Sequence, residues 1–149
     1  MTNVRQILDG KKSQQIHTVS PQTSIFEALE LMASKDVSAV LVLENERLVG
    51  IFTERDYARK VILKGRNSRD TQISELMTQN LLTISPTQTV EDVMEIMTEN
   101  RFRHLPVVER GQLIGIVTIG DAVKTVIDQQ QQTINQLAGY ISGDIAPGM

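Results

Sequence analysis

The chain says the same thing twice. Shifted by 65 residues, positions 18–62 lie over 83–127 without a gap, and 14 of the 45 paired positions are identical. Thr18, Ser20, Pro21, Glu30, Met32, Val42, Glu44, Leu48, Gly50, Ile51, Thr53, Asp56, Val61 and Ile62 each meet their own type in the second copy. Many of the rest are like-for-like, such as Val19 for Ile84 and Val49 for Ile114. So long a period does not describe a small unit stacking in one dimension. Two copies predict a pair packed face to face, with the functional surface between them.

Periodicity within each copy predicts its elements. Behind each Ser-Pro runs an i, i+3, i+4, i+7 stripe, Ile25/Ala28/Leu29/Met32 and Val90/Val93/Met94/Met97, which reads as an amphipathic helix. Apolar runs over 37–43 and 102–108 follow. Each is separated by a polar turn (44–47 and 109–112) from a second run, at 48–52 and 113–117. Helical stretches at 54–63 and 119–128 close the copies, and Thr18–Val19 and Thr83–Ile84 read as extended lead-ins. The expected fold class is α+β: strand, helix, strand, strand, helix, twice. The expected division is an N-terminal extension (1–16), copy one (17–63), a connector and lead-in (64–81), copy two (82–128) and a helical tail (129–149). Val4, Ile7 and Leu8 predict one helical turn on the body, 73–77 a short helix, and 129–132 an extension of the last helix; 143–149 are expected to fray.

Composition narrows the class. At 149 residues and 40% hydrophobic content the chain can bury a sizeable core. A net charge of −3 argues against general nucleic-acid binding. With no cysteine, disulfides and thiolate chemistry are excluded. No apolar run reaches the roughly 18 residues of a membrane helix, and the polar start predicts no signal peptide, so a cytoplasmic protein is expected. Two histidines and no clustered acids at ligand spacing predict no transition-metal site. Without a nucleophile elbow, a His–acid constellation or a phosphate-binding glycine loop, no enzyme is expected. The methionines fall on helix stripes and read as core.

The chemistry-bearing motif is repeated too. Gly50-Ile51-Phe52-Thr53-Glu54-Arg55-Asp56 and Gly115-Ile116-Val117-Thr118-Ile119-Gly120-Asp121 share Gly-x-x-Thr-x-x-Asp at a strand end entering a helix. Two readings fit it. Thr followed three residues later by an acid is close to a helix capping box, which needs no ligand. The same geometry presents N–H groups, a hydroxyl and a carboxylate together, a combination suited to a phosphate and a sugar diol.

From about His17 to Ile127 the double motif, the Ser-Pro before each amphipathic helix and the paired strands resemble a tandem pair of CBS domains, a Bateman module. The resemblance implies two repeats packed through their sheets around a pseudo-two-fold axis, with clefts that take adenosine-containing ligands. It implies that Asp56 and Asp121 hold ribose hydroxyls, that Thr53 and Thr118 contact ribose or phosphate, and that Ile51 and Ile116 pack on the base. It further implies clefts shared between repeats. The first would combine Ile51, Thr53, Arg55 and Asp56 with Leu82, Thr83, Phe102, Arg103 and His104. The second would combine Ile116, Thr118 and Asp121 with His17, Thr18, Val37, Ser38 and Ala39. Arg103 and His104, with Arg55, Arg59 and Lys60 nearby, equip the first for anions, whereas Ser38, Ala39 and Gly120 stand at the matching places of the second. The duller readings are that Arg103 pairs with Glu99 or Glu109 and that Arg59 and Lys60 are solvated.

The function this implies is a regulatory sensor that binds AMP, ADP or NAD as its ligand and signals to a separate effector of unknown identity. The alternative is a purely structural homodimerisation module with no physiological ligand. A homodimer is expected in either case, because the helix stripes leave apolar faces in need of cover.

Overall fold

The computed structural model describes residues 2–11 and 16–142. The elements are α1 (Val4–Asp9), β1 (Thr18–Val19), α2 (Ile25–Lys35), β2 (Ala39–Glu44), β3 (Arg47–Thr53), α3 (Glu54–Asp56) continuing as a π-helix over Tyr57–Ile62, a 3-10 turn at Ile73–Glu75, α4 (Val90–Asn100), β4 (His104–Glu109), β5 (Gln112–Thr118) and α5 (Ile119–Ser142). The class is α+β, with one sheet ordered β1-β2-β3 and another of β4 and β5.

The two copies share their irregularities, the signature of a genuine structural repeat. Each hairpin turns through two residues at positive φ, Asn45 and Glu46 in one and Arg110 and Gly111 in the other. That tight turn matches the right-handed twist of the flanking strands. Each hairpin also slips register at matching points, Val42/Leu43 and Val107/Val108. Both amphipathic helices end on a left-handed residue, Asp36 and Arg101. The reversal spends the next two positions, so β2 starts at Ala39 and β4 at His104, two residues later than the apolar runs suggest.

Other differences have equally local causes. The second lead-in is not a strand but a single parallel bridge, Ile84 to Val107. The stretch at 54–63 is helical, but after one α-turn its bonds lengthen to the π pattern, as in Leu63 N–H to Ala58 C=O at 3.1 Å. The last helix runs past residue 132 to Ser142, and its far half carries exposed Ile134, Leu137, Tyr140 and Ile141. The fraying expected at 143–149 falls outside the described residues.

Strand alternation divides the core into three parts. Val40, Val42 and Phe52 face α2, with Ile25, Ala28 and Met32. Leu105, Val107 and Val117 face α4, with Val90, Val93 and Met97. The opposite faces meet each other: Ala39, Leu41 and Ile51 are buried against partly buried Leu48, Leu81, Leu113 and Ile116. The copies therefore pack through their sheets.

The flanking segments complete this pairing. Ile73 N–H bonds to Thr23 C=O (2.8 Å) and Ile25 N–H to Thr71 C=O (2.9 Å), which docks the connector on copy one. Val4 N–H bonds to Gln88 C=O (2.8 Å) and Val90 N–H to Thr2 C=O (3.0 Å), so the N-terminal segment crosses over and docks on copy two in the same way. Both segments lean on the repeated glycines. A Cβ on Gly50 would lie 2.5 Å from Met77 Sδ, and one on Gly115 would lie 2.7 Å from Leu8 Cδ2.

Candidate functional site

A cavity of about 810 Å3 opens between the copies at the end of β3. Ser38, Ile51, Thr53, Glu54, Arg55, Asp56, Arg59 and Thr78 line one side, and Asn100, Arg101, Phe102, Arg103 and His104 line the other. Seven of the nine residues expected for the first cleft thus come together. Leu82 and Thr83 do not line it; both are exposed on the lead-in.

The Thr/Asp pair is a capping box and a cleft wall at once. Asp56 N–H donates to Thr53 Oγ1 (3.1 Å), and Thr53 N–H returns the bond to Asp56 Oδ2 (3.0 Å). Glu54 N–H donates to Ser38 C=O at 3.0 Å, so two of the first three helical N–H groups are already bonded within the protein. Free N–H groups are therefore fewer here than the motif suggested, and the carboxylate is the principal polar group. It is also the hub of a small network. Its other oxygen, Oδ1, accepts from the Thr78 hydroxyl (3.1 Å) and from Lys60 Nζ (3.1 Å). Lys60 Nζ also donates to Leu76 C=O at 3.0 Å, so Lys60 ties the helix to the connector and does not face the cleft as an anion group.

Four arginines line the cavity, Arg55, Arg59, Arg101 and Arg103, and among the described residues none of them has an ion pair. Glu109 pairs instead with Arg5 of α1. Against them stand Glu54 and Asp56, the latter already neutralised by Lys60. The cleft is therefore a field of uncompensated positive charge suited to an anionic group. His104 Nε2 and Ser38 Oγ are 3.0 Å apart, a contact that links the copies across the cleft. Burial, and then the neighbouring Arg103 guanidinium, hold the His104 imidazole below its ordinary pKa.

The second set of residues is arranged differently. Thr118 and Asp121 repeat the capping box, at 2.9 and 3.1 Å. Ser38 lies in the first cleft, not the second. Ala39 is buried between the sheets and Ile116 packs against it. His17 offers its carbonyl to Leu41 N–H (3.1 Å), Thr18 is exposed on β1 beside Leu41, and Val37 packs on the copy-one core. A cavity of about 520 Å3 does touch Asp121, but it lies between α1 and α5 and includes none of the other residues expected there. The Asp121 carboxylate is met by Lys11, at 2.9 Å.

Residues missed by sequence reasoning are those brought in from elsewhere in the chain: Thr78 from the connector, Asn100 and Arg101 from the end of α4, and Lys11 from the N-terminal segment. The stop of the α4 stripe was the available signal for Asn100 and Arg101, since a helix end beside a strand start must face the same way.

The family model of the CBS domain matches twice, at residues 4–63 and 73–128. The chain belongs to the CBS-domain family. A CBS domain-containing protein of Arabidopsis thaliana, CBSX3, mitochondrial, is 38% identical over 125 residues, which are 80% of this chain and 61% of that protein. The chain thus spans under two thirds of that relative's length. A solved putative signal-transduction protein with CBS domains from Burkholderia ambifaria is 45% identical, covers 87% of this chain and 96% of its own, and superposes with a TM-score of 0.83. The solved complex of CBSX2 with AMP is 29% identical, with a TM-score of 0.71 over 87% of this chain and 99% of its own. The CBS-pair arrangement read from the repeat is therefore the arrangement of the family. Among the described residues no helix is long and apolar enough to cross a membrane, and no group of three potential metal ligands occurs.

Proposed function

We propose that this CBS pair is a non-catalytic regulatory module that binds an adenine nucleotide, AMP, ADP or NAD through its adenosine half, in the cleft at Asp56. The observation that carries the reading is the joining, in one cavity, of a sugar-compatible carboxylate on copy one and unpaired arginines on copy two. Ribose hydroxyls donate to Asp56, the adenine ring lies against Ile51, and the phosphate meets Arg103, His104 and the Thr53 hydroxyl. The volume of about 810 Å3 suits a mononucleotide, within the usual range for small-molecule sites. The CBS pair solved with AMP supports the ligand class. Ligand binding across the copies would bias how they sit together, and a separate cytoplasmic effector protein would read that change.

The module is further proposed to work as a homodimer. The stripes Ile25/Leu29/Met32 and Val90/Met94/Met97 that were expected to need cover are packed on the chain's own core, but Ile62, Leu63, Val123 and Ile127, at the closing helices of the two copies, are exposed apolar side chains of the kind isologous pairing covers. The test of the ligand is thermal: AMP at about 100 times its dissociation constant adds about 2.7 kcal/mol to the folded state. A melting temperature unmoved by millimolar AMP, ADP and NAD would leave only the structural module.

A further inference from the structure

The far half of α5 stands clear of the body: every residue from Gln130 to Ala138 is exposed. Its apolar residues are nonetheless in strict order. Val123, Ile127, Ile134, Leu137 and Ile141, each at least 42% exposed, fall together with Gln130 on steps of four, three, four, three and four. Such steps average 3.5 residues, the spacing that keeps two helices in contact along their length in a shallow left-handed supercoil. Ala122 and Val126, which bind the near half of α5 to the copy-two core, are not part of this seam. A helical extension of this length is marginal in water unless its apolar face is packed, and Gly139 within it weakens it further. The seam therefore calls for an occupant.

The chemistry of the seam says which one. No charged residue and no histidine lies between Gln129 and Ser142. A strongly charged partner finds nothing to pair with there, and the polar face lacks the lysines and arginines that hold a helix on an anionic membrane. A second copy of α5, by contrast, meets no like-charge repulsion. Isoleucine at one set of seam positions (127, 134 and 141), with Leu137 at the other, favours two parallel strands. Parallel pairing also sets Gln130 against the Gln130 of the second copy, where each amide can both donate and accept. Antiparallel pairing about the middle of the seam would bury that amide against Ile134 with no partner. We propose that two copies of the chain pair along α5 as a parallel two-stranded coiled coil from Val123 to Ile141, about 28 Å long, with Gln130 setting the register. The idea rests on the homodimer reading above and extends the face to which Val123 and Ile127 already belong.

The experiment is sedimentation equilibrium on the full chain, with melting curves to confirm folded protein. Ile134→Lys and Leu137→Lys should each raise the dimer dissociation constant at least tenfold. Both positions are exposed and lysine is a good helix former, so neither change should cost the fold. Gln130→Leu should lower the constant at least tenfold, because a polar seam residue sets register at a cost in stability. Leu137→Cys, in a chain with no other cysteine, should oxidise to a dimer linked through that position. A wild-type dimer indifferent to Ile134→Lys, Leu137→Lys and Gln130→Leu overturns this proposal and leaves the homodimer reading standing, whereas a wild-type monomer removes both. A folded dimer in which Leu137→Cys does not cross-link overturns the parallel arrangement. Binding to phosphatidylcholine vesicles that Leu137→Lys abolishes, with the dimer unchanged, would give the seam to a membrane and overturn the proposal as well.

Discussion

Replacing Asp56 with alanine removes the acceptor shared by the Thr53 N–H, the Thr53 hydroxyl, the Thr78 hydroxyl and the Lys60 ammonium. The capping half of this network is worth about 1 kcal/mol, the usual cost of losing a helix cap. The bond from Thr78 adds about 1 kcal/mol, as for a typical hydrogen bond to a part-buried group. Lys60 is 38% exposed, so its pair with Asp56 is screened and adds at most a few tenths to about 0.5 kcal/mol. The loss is therefore about 2 kcal/mol, double what a capping acid alone would suggest. In a chain of 149 residues that lowers the melting temperature by roughly 4–8 °C. Asp56→Asn keeps an acceptor for Thr53 and should lose about half as much. The assay is calorimetric melting at neutral pH and one fixed protein concentration, because a dimer melts in a concentration-dependent way. If Asp56→Ala melts within a degree of wild type, the carboxylate does not hold the connector to the helix and the network has been misjudged.

Three further outcomes are expected. Arg103→Ala should weaken AMP more than adenosine in calorimetry, and equal losses for both ligands would place the phosphate elsewhere. His104 is held below its ordinary pKa, so between roughly pH 6.5 and its lowered value the unfolded chain binds more protons than the folded one, and stability should fall on acidification through that window. His104→Gln should flatten that part of the pH–stability profile, and an unchanged slope would show that His104 is not the group responsible. Light scattering at low micromolar concentration should give twice 16.6 kDa, and a mass equal to the single chain would remove the dimer.

Much of the fold was legible because its signals are local. The helix stripes at Ile25/Met32 and Val90/Met97 and the alternation along β2 to β5 each fall within one element. The matched Gly-x-x-Thr-x-x-Asp likewise fixed both capping boxes. What stayed hidden depends on separation in sequence. Val4 and Ile73 play equivalent docking roles but lie 69 positions apart, so a uniform shift of 65 passes over them. Thr78 and Lys11 reach their aspartates from segments outside the repeat, and nothing in the spacing of either segment announces its destination. A helical tail was expected after residue 128, but the glutamines there carry no apolar stripe to show that it continues the last helix without a break to Ser142. Phe102, Arg103 and His104, contiguous in sequence, line the first cavity together, whereas Leu82 and Thr83 do not line it, because the second lead-in is a single bridge and not the regular strand expected.

The proposed function requires Asp56 to hold a nucleotide. Calorimetric titration of AMP into wild-type protein and into Asp56→Asn, both confirmed as folded by melting, tests this most directly. Wild type should bind with a clear heat, and the asparagine variant, which keeps the cap but not the charge, should bind at least tenfold more weakly. Equal AMP affinity in the two proteins would contradict the central claim, whatever else the cleft contains.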